Sequence, residues 1–583
     1  MRTIFSYFKP YKKQSVLGPL FKLLEATFEL IVPFIVGLIV DRGIGERVNG
    51  AYPYADKPFL FAMFGVLIAF GVVGLACSIT AQYFAAKTAT GVCAHLRRDL
   101  FRKVQTLSYS DLDKLGTSTI LTRMTGDVDK LQSGINLALR LFLRSPFIVF
   151  GAMITAILID PKSTGAFAVV IVVLSLVVFG IMFLCMPLYK KSQSSLDDVL
   201  KSTRENLSGA RVLRAFCKEE DETALFNERN GELTKRRKFV GRIAEITNPL
   251  TYVIVNIGII LLIWTGAIRV DAGGLSQGSV IALYNLMSQI LIELIKLANL
   301  IVSVTKAAAC GSRIGSVLKM QPSVKDQPKD ERDENLPFIR FDKVGMAYNA
   351  GGDYALKDVS FDVEKGQTVG IIGGTGSGKT TLVNLLPRFY EASEGTVSID
   401  GKKVENYSLE ELREKIGVVP QKAVLFKGTV RENLLWGDAK ATDEWLEKSL
   451  EYAQAKETVE YKGGLDAPVE RSGKNFSGGQ KQRLTIARAL AKKPEILILD
   501  DSSSALDYAT DKALRQAIAS LDFNPTVFIV SQRTSSVRNA DKIVVLDDGE
   551  VVGVGTHASL LKDCVVYKEI YDSQYSESEG GEL

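Results

Sequence analysis

The residues whose types and spacing most clearly indicate chemistry form the glycine-rich run GGTGSGKTT, residues 373–381. A stretch typical of a buried strand, residues 368–372, precedes it, and a stretch typical of a helix start, residues 382–386, follows it. Strand, glycine-rich loop and helix are the context of a phosphate-binding loop, whose backbone N–H groups surround phosphate oxygens at a helix N-terminus. We therefore predict a nucleotide site that contains Gly373, Gly374, Thr375, Gly376, Ser377, Gly378, Lys379, Thr380 and Thr381.

Three side chains would act directly on the phosphates and their metal ion. Lys379 would reach the β- and γ-phosphates, and the Thr380 hydroxyl would ligate Mg²⁺. A further metal residue is Asp500, which ends an apolar strand pattern, as does the Mg²⁺-holding carboxylate of phosphate-loop enzymes. That pattern alone is common, but it is specific when it lies downstream of a phosphate loop in the same domain.

The composition divides the 583-residue chain into an apolar first half and a polar second half. The net charge of +5 is small for this length and gives no reason to expect nucleic-acid binding. The six cysteines show no metal-type spacing, and the first residues show no cleavable signal pattern. A chain of this length and pattern indicates more than one domain.

Six stretches of the first half are long enough to cross a bilayer, which takes about 20 apolar residues. Four of them contain no charged residue, and two carry a few charges; in chain order the six are 15–40, 58–86, 135–159, 163–189, 246–268 and 272–292. Lys and Arg concentrate before the first stretch and after the second and fourth. The positive-inside rule therefore places both termini in the cytoplasm and predicts a multi-pass protein of the cell (plasma) membrane.

The long connections after the second and fourth stretches contain few Pro or Gly and have helical spacing, so we expect the spans to continue as helices beyond the lipid bilayer. Their tips would lie near residues 108–114 and 216–226. The predicted domains are a six-helix transmembrane domain, 1–320; a charged, proline-containing linker, 321–337; a nucleotide-binding domain of alternating strands and helices, 338–572; and an acidic tail, 573–583.

Polar residues inside two of the spans form shared helix faces. Charges within a span are costly unless they face a cavity or a partner. We expect these faces to line a polar translocation cavity; intramembrane pairing, or exposure at the cytoplasmic end, is the alternative. The residues are Lys22, Glu25, Glu29, Asn285, Gln289 and Glu293.

The motif that decides the class is FSGGQ, followed by KQRLTIARAL. It resembles the signature loop of ATP-binding cassette (ABC) proteins, in which a serine hydroxyl and glycine amides open a helix and contact the γ-phosphate held by a partner domain. The resemblance covers the whole chain. It implies an α-helical six-span transmembrane domain of the ABC exporter type fused to an α/β P-loop nucleotide-binding domain, with ATP and Mg²⁺ bound. The signature residues are Phe476, Ser477, Gly478, Gly479 and Gln480.

Other motifs of that family occur in the expected order. Tyr348 matches the residue that stacks on adenine, and Gln421 matches the residue of the loop that senses Mg²⁺. The stretch 504–507, which ends in Asp507, matches the loop that crosses the interface between two cassettes.

Two departures from the family pattern are informative. Asp501 stands where the family has a catalytic glutamate, and Gln532 stands where it has a switch histidine. A carboxylate about 1 Å out of position can slow a reaction roughly 100-fold, and glutamine cannot titrate. We therefore expect this chain to bind ATP tightly, to hydrolyse it poorly, and to pair with a second half-transporter that carries the glutamate and histidine, as in heterodimeric bacterial multidrug exporters.

The sequence thus predicts a subunit of an exporter for amphipathic small molecules (drugs) or lipids. An ATP-binding membrane regulator and a homodimeric lipid or peptide exporter are the alternatives. A membrane-anchored kinase or GTPase is disfavoured by the FSGGQ loop.

Overall fold

The computed structural model describes residues 2–44, 56–326, 328–349 and 351–575. The chain divides into two compact units: residues 1–105 with 117–320, and residues 106–116 with 321–583. Most of the predicted acidic tail, residues 576–583, lies outside the described residues, and its first three residues belong to the last helix.

The first unit is built from helices, several of them much longer than a bilayer is thick. In chain order the helices of the first half are α1 (Arg2–Phe5), α2 (Lys12–Leu38), α3 (Lys57–Thr106), α4 (Tyr109–Leu115, in the second unit), α5 (Thr117–Thr122), α6 (Val128–Leu141), α7 (Arg144–Ile159), α8 (Pro161–Ser208), α9 (Ala210–Ala215), α10 (Glu219–Glu245), α11 (Thr247–Asp271) and α12 (Gln277–Lys319).

Six helical segments among the described residues are long and apolar enough to cross a membrane, as the sequence predicts. They are Thr3–Ile44, Lys57–Thr106, Thr117–Ile159, Pro161–Ser208, Glu219–Asp271 and Gln277–Lys319. The 50 residues of α3 give a helix about 75 Å long at about 1.5 Å per residue, against about 30 Å of hydrocarbon. The long connections are therefore helical, and the predicted tip near residue 217 is a turn between α9 and α10.

Small residues let the helices of the first unit approach closely. A Cβ at Gly278 would lie 2.0 Å from the Gly37 carbonyl oxygen, so α2 and α12 meet at a point where only glycine fits. Small residues at helix contacts are typical of membrane helices, because they allow close backbone approach. Many large apolar side chains of this unit are exposed, among them Phe61, Leu158 and Leu176, as expected for surfaces that face lipid.

The second unit is an α/β domain with three sheets. Its strands are β1 (Ile339–Ala347), β2 (Tyr354–Val363), β3 (Thr368–Gly373), β4 (Glu394–Ile399), β5 (Lys402–Lys403), β6 (Ile416–Val419), β7 (Gly428–Thr429), β8 (Pro468–Val469), β9 (Ile496–Asp500), β10 (Thr526–Val530), β11 (Lys542–Asp547) and β12 (Glu550–Gly555). One sheet has the order β12-β11-β3-β10-β9-β6, another β2-β1-β4-β5, and β7 pairs with β8.

The helices of this unit surround the sheets. After α4 they are α13 (Lys379–Leu385), α14 (Leu409–Lys415), α15 (Val430–Leu434), α16 (Asp443–Tyr452), α17 (Lys456–Tyr461), α18 (Gly478–Ala491), α19 (Tyr508–Ala519), α20 (Thr534–Val537), α21 (His557–Asp563) and α22 (Val565–Tyr575).

The six-stranded sheet positions the nucleotide chemistry. Strands β3, β9 and β10 are parallel neighbours and read as near-continuous apolar runs, because helices cover both faces of such a sheet. Val530 of β10 lies opposite Ile371 of β3 and Asp500 of β9. The residues that follow these three strands therefore meet at one edge, where ligands of α/β sheets bind.

Candidate nucleotide site and signature loop

The glycine-rich run forms the predicted loop between β3 and α13. Gly376 and Gly378 have φ values of +87° and +92°, a region that favours glycine. A Cβ at Gly378 would also lie 2.6 Å from the Ala355 carbonyl oxygen. The loop therefore needs glycine at these positions for its backbone path.

The Lys379 ammonium group lies inside the loop. Its Nζ donates to the carbonyl oxygens of Gly373 at 3.0 Å and Gly374 at 2.5 Å, and to Ser377 Oγ at 3.3 Å. Burial lowers the pKa of Lys379, and the nearby carboxylates of Asp501 and Asp500 oppose that effect. A polyphosphate in the loop would stabilise the charged form of Lys379 and so oppose the effect of burial on its pKa. The lysine is therefore placed to bind an anion.

The two predicted metal residues on the sheet edge are in contact. Thr380 Oγ1 donates to Asp500 Oδ1 at 2.9 Å. Burial raises the pKa of Asp500, and the neighbouring Asp501 charge raises it further. A hydroxyl, a carboxylate and the Gln421 amide are hard oxygen donors of the kind that hold Mg²⁺ beside substrate phosphates, so the residues fit that ion.

One cavity of about 300 Å³ brings most of the predicted residues together. Its lining contains six of the nine predicted phosphate-loop residues (Gly373, Gly374 and Ser377 are not among them), the predicted adenine, metal and catalytic positions, and three further residues that the sequence did not single out. The lining residues are Tyr348, Ala355, Thr375, Gly376, Gly378, Lys379, Thr380, Thr381, Gln421, Asp500, Asp501, Val530, Ser531 and Gln532.

Asp501 is held in an uncommon backbone conformation, with φ of +45°. Its N–H donates to the Val530 carbonyl oxygen at 2.9 Å, and its Oδ2 accepts from Gln421 Nε2 at 3.2 Å. The carboxylate is therefore directed towards Gln421. Gln532 lies two residues after the end of β10, the strand next to β9, and lines the same cavity as Asp501.

The predicted signature loop lies apart from this cavity and opens α18. Ser477 Oγ accepts from the Gln480 N–H, and Gln480 Oε1 accepts from the Ser477 N–H at 3.0 Å, which forms a capping box. Phe476 is buried. A Cβ at Gly479 would lie 2.9 Å from the Ala505 carbonyl oxygen, whereas a Cβ at Gly478 would have no heavy atom within 4 Å.

The predicted interface loop, residues 504–507, lies beside the signature loop, because the Ala505 carbonyl oxygen lies close to Gly479. Asp507 caps α19: its Oδ1 accepts from the Thr510 N–H at 2.9 Å, and Oδ2 accepts from Thr510 Oγ1 at 2.8 Å. These bonds lower the pKa of Asp507, the backbone bond most of all. The residue therefore has a structural task within the chain as well as its predicted one.

Comparison with known proteins identifies the class. The family model of the ABC transporter transmembrane region matches residues 16–294, and the ABC transporter model matches residues 356–504. An uncharacterized ABC transporter ATP-binding protein, YfiB of Bacillus subtilis (strain 168), is 33% identical over the full length of both chains. The chain belongs to the ABC transporter family.

Other relatives and one solved structure agree with this ABC transporter assignment. An ATP-dependent lipid A-core flippase of Hahella chejuensis is 30% identical and aligns with 98% of this chain and 99% of its own. A putative multidrug export ATP-binding/permease protein, YgaD of Bacillus subtilis, is 30% identical over the same shares. A bacterial Atm1-family ABC exporter with ATP bound has a TM-score of 0.80 at 22% identity, covering 97% of this chain and 98% of that one, so the fold is that of an ABC exporter half-transporter.

An aromatic cluster beside the nucleotide cavity of this ABC transporter was missed at the sequence level. Tyr348 Oη lies 2.8 Å from Thr381 Oγ1, and its ring meets Tyr390 edge-on at 5.2 Å. Tyr390 Oη donates to Oδ2 of Asp113, a residue of α4, at 2.7 Å, while Tyr109 packs on Phe389 at 4.7 Å. Burial and this hydrogen bond raise the pKa of Tyr390. The available signal was the aromatic pair that follows the phosphate-loop helix.

The predicted cavity residues of the transmembrane unit form ion pairs. Lys22 Nζ contacts Glu25 at 2.5 Å. Arg144, which is not among the residues predicted from the sequence, contacts Glu29 and Glu293, each at 2.6 Å.

Three further polar residues support this network. Lys296 Nζ and Ser145 Oγ also bind Glu293, at 2.9 Å and 2.7 Å, and Gln289 Nε2 donates to the Glu29 carbonyl oxygen at 3.2 Å. Lys22 and Glu293 are buried, while the Glu29 side chain keeps 41% of its exposure. Asn285, on the same helix as Glu293, is partly buried. Pairing, the stated alternative, thus accounts for most of these charges, and their role in a cavity stays a prediction.

Proposed function

We propose that this half-transporter is one subunit of an ATP-driven exporter that carries amphipathic small molecules or lipids out of the cytoplasm by alternating access. Its own nucleotide site would bind ATP and hydrolyse it slowly. The observation that carries this proposal is that Asp501 and Gln532 line the same cavity as Lys379 and Asp500. The residues that hold the nucleotide are present there, and the two that would promote hydrolysis are altered.

The expected slowness has a physical origin at each altered position. A general base must lie within hydrogen-bond reach of the attacking water, and such help is worth roughly 10²- to 10⁴-fold. Asp501 is one methylene shorter than glutamate. Gln532 can donate a hydrogen bond to phosphate, but it cannot carry the positive charge of a protonated histidine.

The signature loop supports a partner subunit. Ser477 and the amides of Gly478 and Gly479 open α18, and helix N-termini attract anions. This loop would contact ATP held by a second half-transporter that has the glutamate and histidine. Two ATP molecules would then lie between the two cassettes, one at a slow site and one at a hydrolytic site.

The names of two relatives and the charges of the helix bundle support an amphipathic substrate. One relative is named a lipid A-core flippase and another a putative multidrug export protein. Glu29 is partly exposed and is joined through Arg144 to the buried Glu293. These charged side chains form a polar surface in an otherwise apolar helix bundle. Such a surface suits a molecule with both apolar and charged parts.

In the transport cycle, closure of the two cassettes on ATP would draw together the helix tips near residues 108–114 and 216–226. The bundle would change from inward- to outward-facing, and hydrolysis at the partner's site would reset it. When bound, Mg²⁺ would neutralise phosphate charge beside Thr380 and Asp500. ATP retained by this chain would keep the cassettes in contact between cycles.

The deciding experiment isolates the complex from native membranes through a tag on this chain and compares two variants. Asp501→Asn should leave ATPase activity within about twofold, because the partner's site carries the turnover. Gly478→Ala should lower it at least tenfold, because the added methyl group lies in open space in this chain but at the partner's phosphate. Gly231→Ala, an equally open helical position, is the matched control.

A homodimer would respond differently. If this chain purifies with itself alone, hydrolyses ATP briskly and loses that activity in Asp501→Asn, the heterodimer proposal is wrong. Efflux of a fluorescent amphiphile from vesicles containing the intact complex separates an exporter from an ATP-binding regulator, since a regulator alone would move none.

A further inference from the structure

We propose that Gln574, near the end of the C-terminal helix α22, is a positioning residue that holds the loop bearing Gln532 against the nucleotide cavity. The inference rests on the proposed function in one respect, which is that Gln532 faces the γ-phosphate. It assigns a role to a residue outside every motif that the sequence displays.

Gln574 makes three hydrogen bonds to that loop with a single side chain. Its Oε1 accepts from the Thr534 N–H and from Thr534 Oγ1, both at 2.9 Å. Its Nε2 donates to the Gln532 carbonyl oxygen at 2.8 Å. The amide therefore spans the segment between the end of β10 and the start of α20, and fixes it from both sides of Arg533.

These bonds replace a helix cap that the chain lacks locally. The first N–H groups of a helix have no partner within the helix and usually bind a side chain of the preceding residue. Arg533, at the cap position of α20, makes no such bond. Gln574 supplies it from another helix, so α22 helps to hold the start of α20, together with Arg515 of α19, whose Nη1 donates to the Ser535 carbonyl oxygen at 2.7 Å.

Helix α22 is itself firmly anchored to the strand that leads into the phosphate loop. Tyr567 is fully buried and packs in one apolar cluster with Ile372, which precedes Gly373, and with Val537 of α20. Its hydroxyl lies 2.8 Å from His557 Nδ1. The helix thus contacts both the phosphate-loop strand and the helix after Gln532.

The remaining contacts of the loop hold its first part only. The Ser531 N–H donates to the Ile371 carbonyl oxygen at 3.1 Å, and Ser531 Oγ accepts from the Arg533 N–H at 3.0 Å. Neither bond involves Gln532 itself. Without Gln574, the Gln532 backbone could rotate, and its amide would contact the γ-phosphate for less of the time.

The test measures ATP and ADP affinities of the Mg²⁺-nucleotide site on this chain, in the complex, by competition with a photoreactive ATP analogue. Only ATP has a γ-phosphate, so loss of its contact lowers ATP affinity and spares ADP. Gln574→Ala should lower the ATP-over-ADP preference about fivefold, which corresponds to loss of roughly one net hydrogen bond. A purely structural role would lower both affinities alike.

Further variants locate the effect. Gln574→Glu keeps both bonds to Thr534 and loses the one to Gln532, so an intermediate preference is expected. In a Gln532→Ala background, Gln574→Ala should cause no further change, because its effect passes through Gln532. Asp572→Ala, at an exposed position two residues before Gln574 on α22, is the control for general disturbance of the helix.

The outcomes separate this inference from the one on which it rests. If Gln532→Ala lowers the preference but Gln574→Ala does not, or if Gln574→Ala acts equally in both backgrounds, the positioning role is wrong and the proposed function stands. If Gln532→Ala itself leaves the preference unchanged, the γ-phosphate contact is absent, and both proposals are overturned at this site.

Discussion

Lengthening the side chain at position 501 should restore hydrolysis at this chain's own site. Asp501 follows Asp500, the proposed Mg²⁺ carboxylate, has a φ of +45° and directs its Oδ2 to Gln421 Nε2 at 3.2 Å. Asp501→Glu adds one methylene and moves the carboxylate outward by about 1.5 Å. Because a displacement near 1 Å costs roughly 100-fold, we expect the rate at this site to rise about 100-fold, or about 2.7 kcal/mol in the barrier.

The substitution should also lower stability slightly. Aspartate tolerates a left-handed backbone better than glutamate, since its short polar side chain bonds locally. We expect a loss of about 1 kcal/mol in the free energy of unfolding. If the hydrolysis rate rises although the protein is less stable, the gain comes from the chemistry at the site and not from better folding. Asp548→Glu is the matched control, because Asp548 has a φ of +43° and its side chain is 94% exposed.

Single-turnover phosphate release distinguishes hydrolysis at the site of this chain from hydrolysis at the partner's site, because the two are expected at different rates. The complex is loaded with γ-labelled ATP, freed of excess nucleotide and followed over time. We expect a fast phase from the partner's site and a slow phase from the site of this chain. Asp501→Glu should accelerate the slow phase alone, and Asp501→Glu with Gln532→His should accelerate it further. An unchanged slow phase, or a wild type with one fast phase only, would refute the reasoning.

Three further predictions concern burial. The raised pKa of Asp500 means that its ionised form is less favourable in the folded than in the unfolded state. The free energy of unfolding therefore falls as the pH rises above the ordinary pKa of an aspartate. Asp500→Asn should therefore unfold at a higher temperature at pH 7 without nucleotide, yet lose the stabilisation by Mg²⁺ and ATP that the wild type shows. Tyr390→Phe removes the hydroxyl that binds Asp113 and should lower the melting temperature by several degrees, at about 1 kcal/mol, with ATP affinity retained; an unchanged melting temperature would contradict it. Arg144→Met leaves Glu293 without its main partner and should cost about 3 kcal/mol in detergent unfolding, while Arg144→Met with Glu293→Leu should recover most of it.

Much of the nucleotide site could be predicted because its signals are local. The phosphate loop, the end of β9 and the start of α18 are each encoded by fewer than ten consecutive residues, and the glycines with positive φ lie where the motif places them. The six long helices were predictable for a similar reason, since bilayer thickness fixes a minimum run of apolar residues. Both features can be identified without knowing which distant segments meet.

The features that sequence reasoning missed are those formed by distant segments. Arg144 and Glu293 are separated by 149 positions, and Tyr390 and Asp113 by 277. Spacing along one helix predicted that Glu25 and Glu29 share a face, but it could not supply the arginine that neutralises Glu29 from another helix. For the same reason Gln574 carried no signal, because its role depends on α22 packing beside α20.

Glycines that the fold does not require give a separate argument for what the chain binds. Among the described glycines of the second unit, all but two either have positive φ or would place a Cβ within 4 Å of another atom. The two are Gly374, in the phosphate loop, and Gly478, in the signature loop. Glycine in such open positions weakens the local structure relative to alanine. We propose that its small size serves something outside the chain: a phosphate chain at Gly374, and a nucleotide presented by another cassette at Gly478.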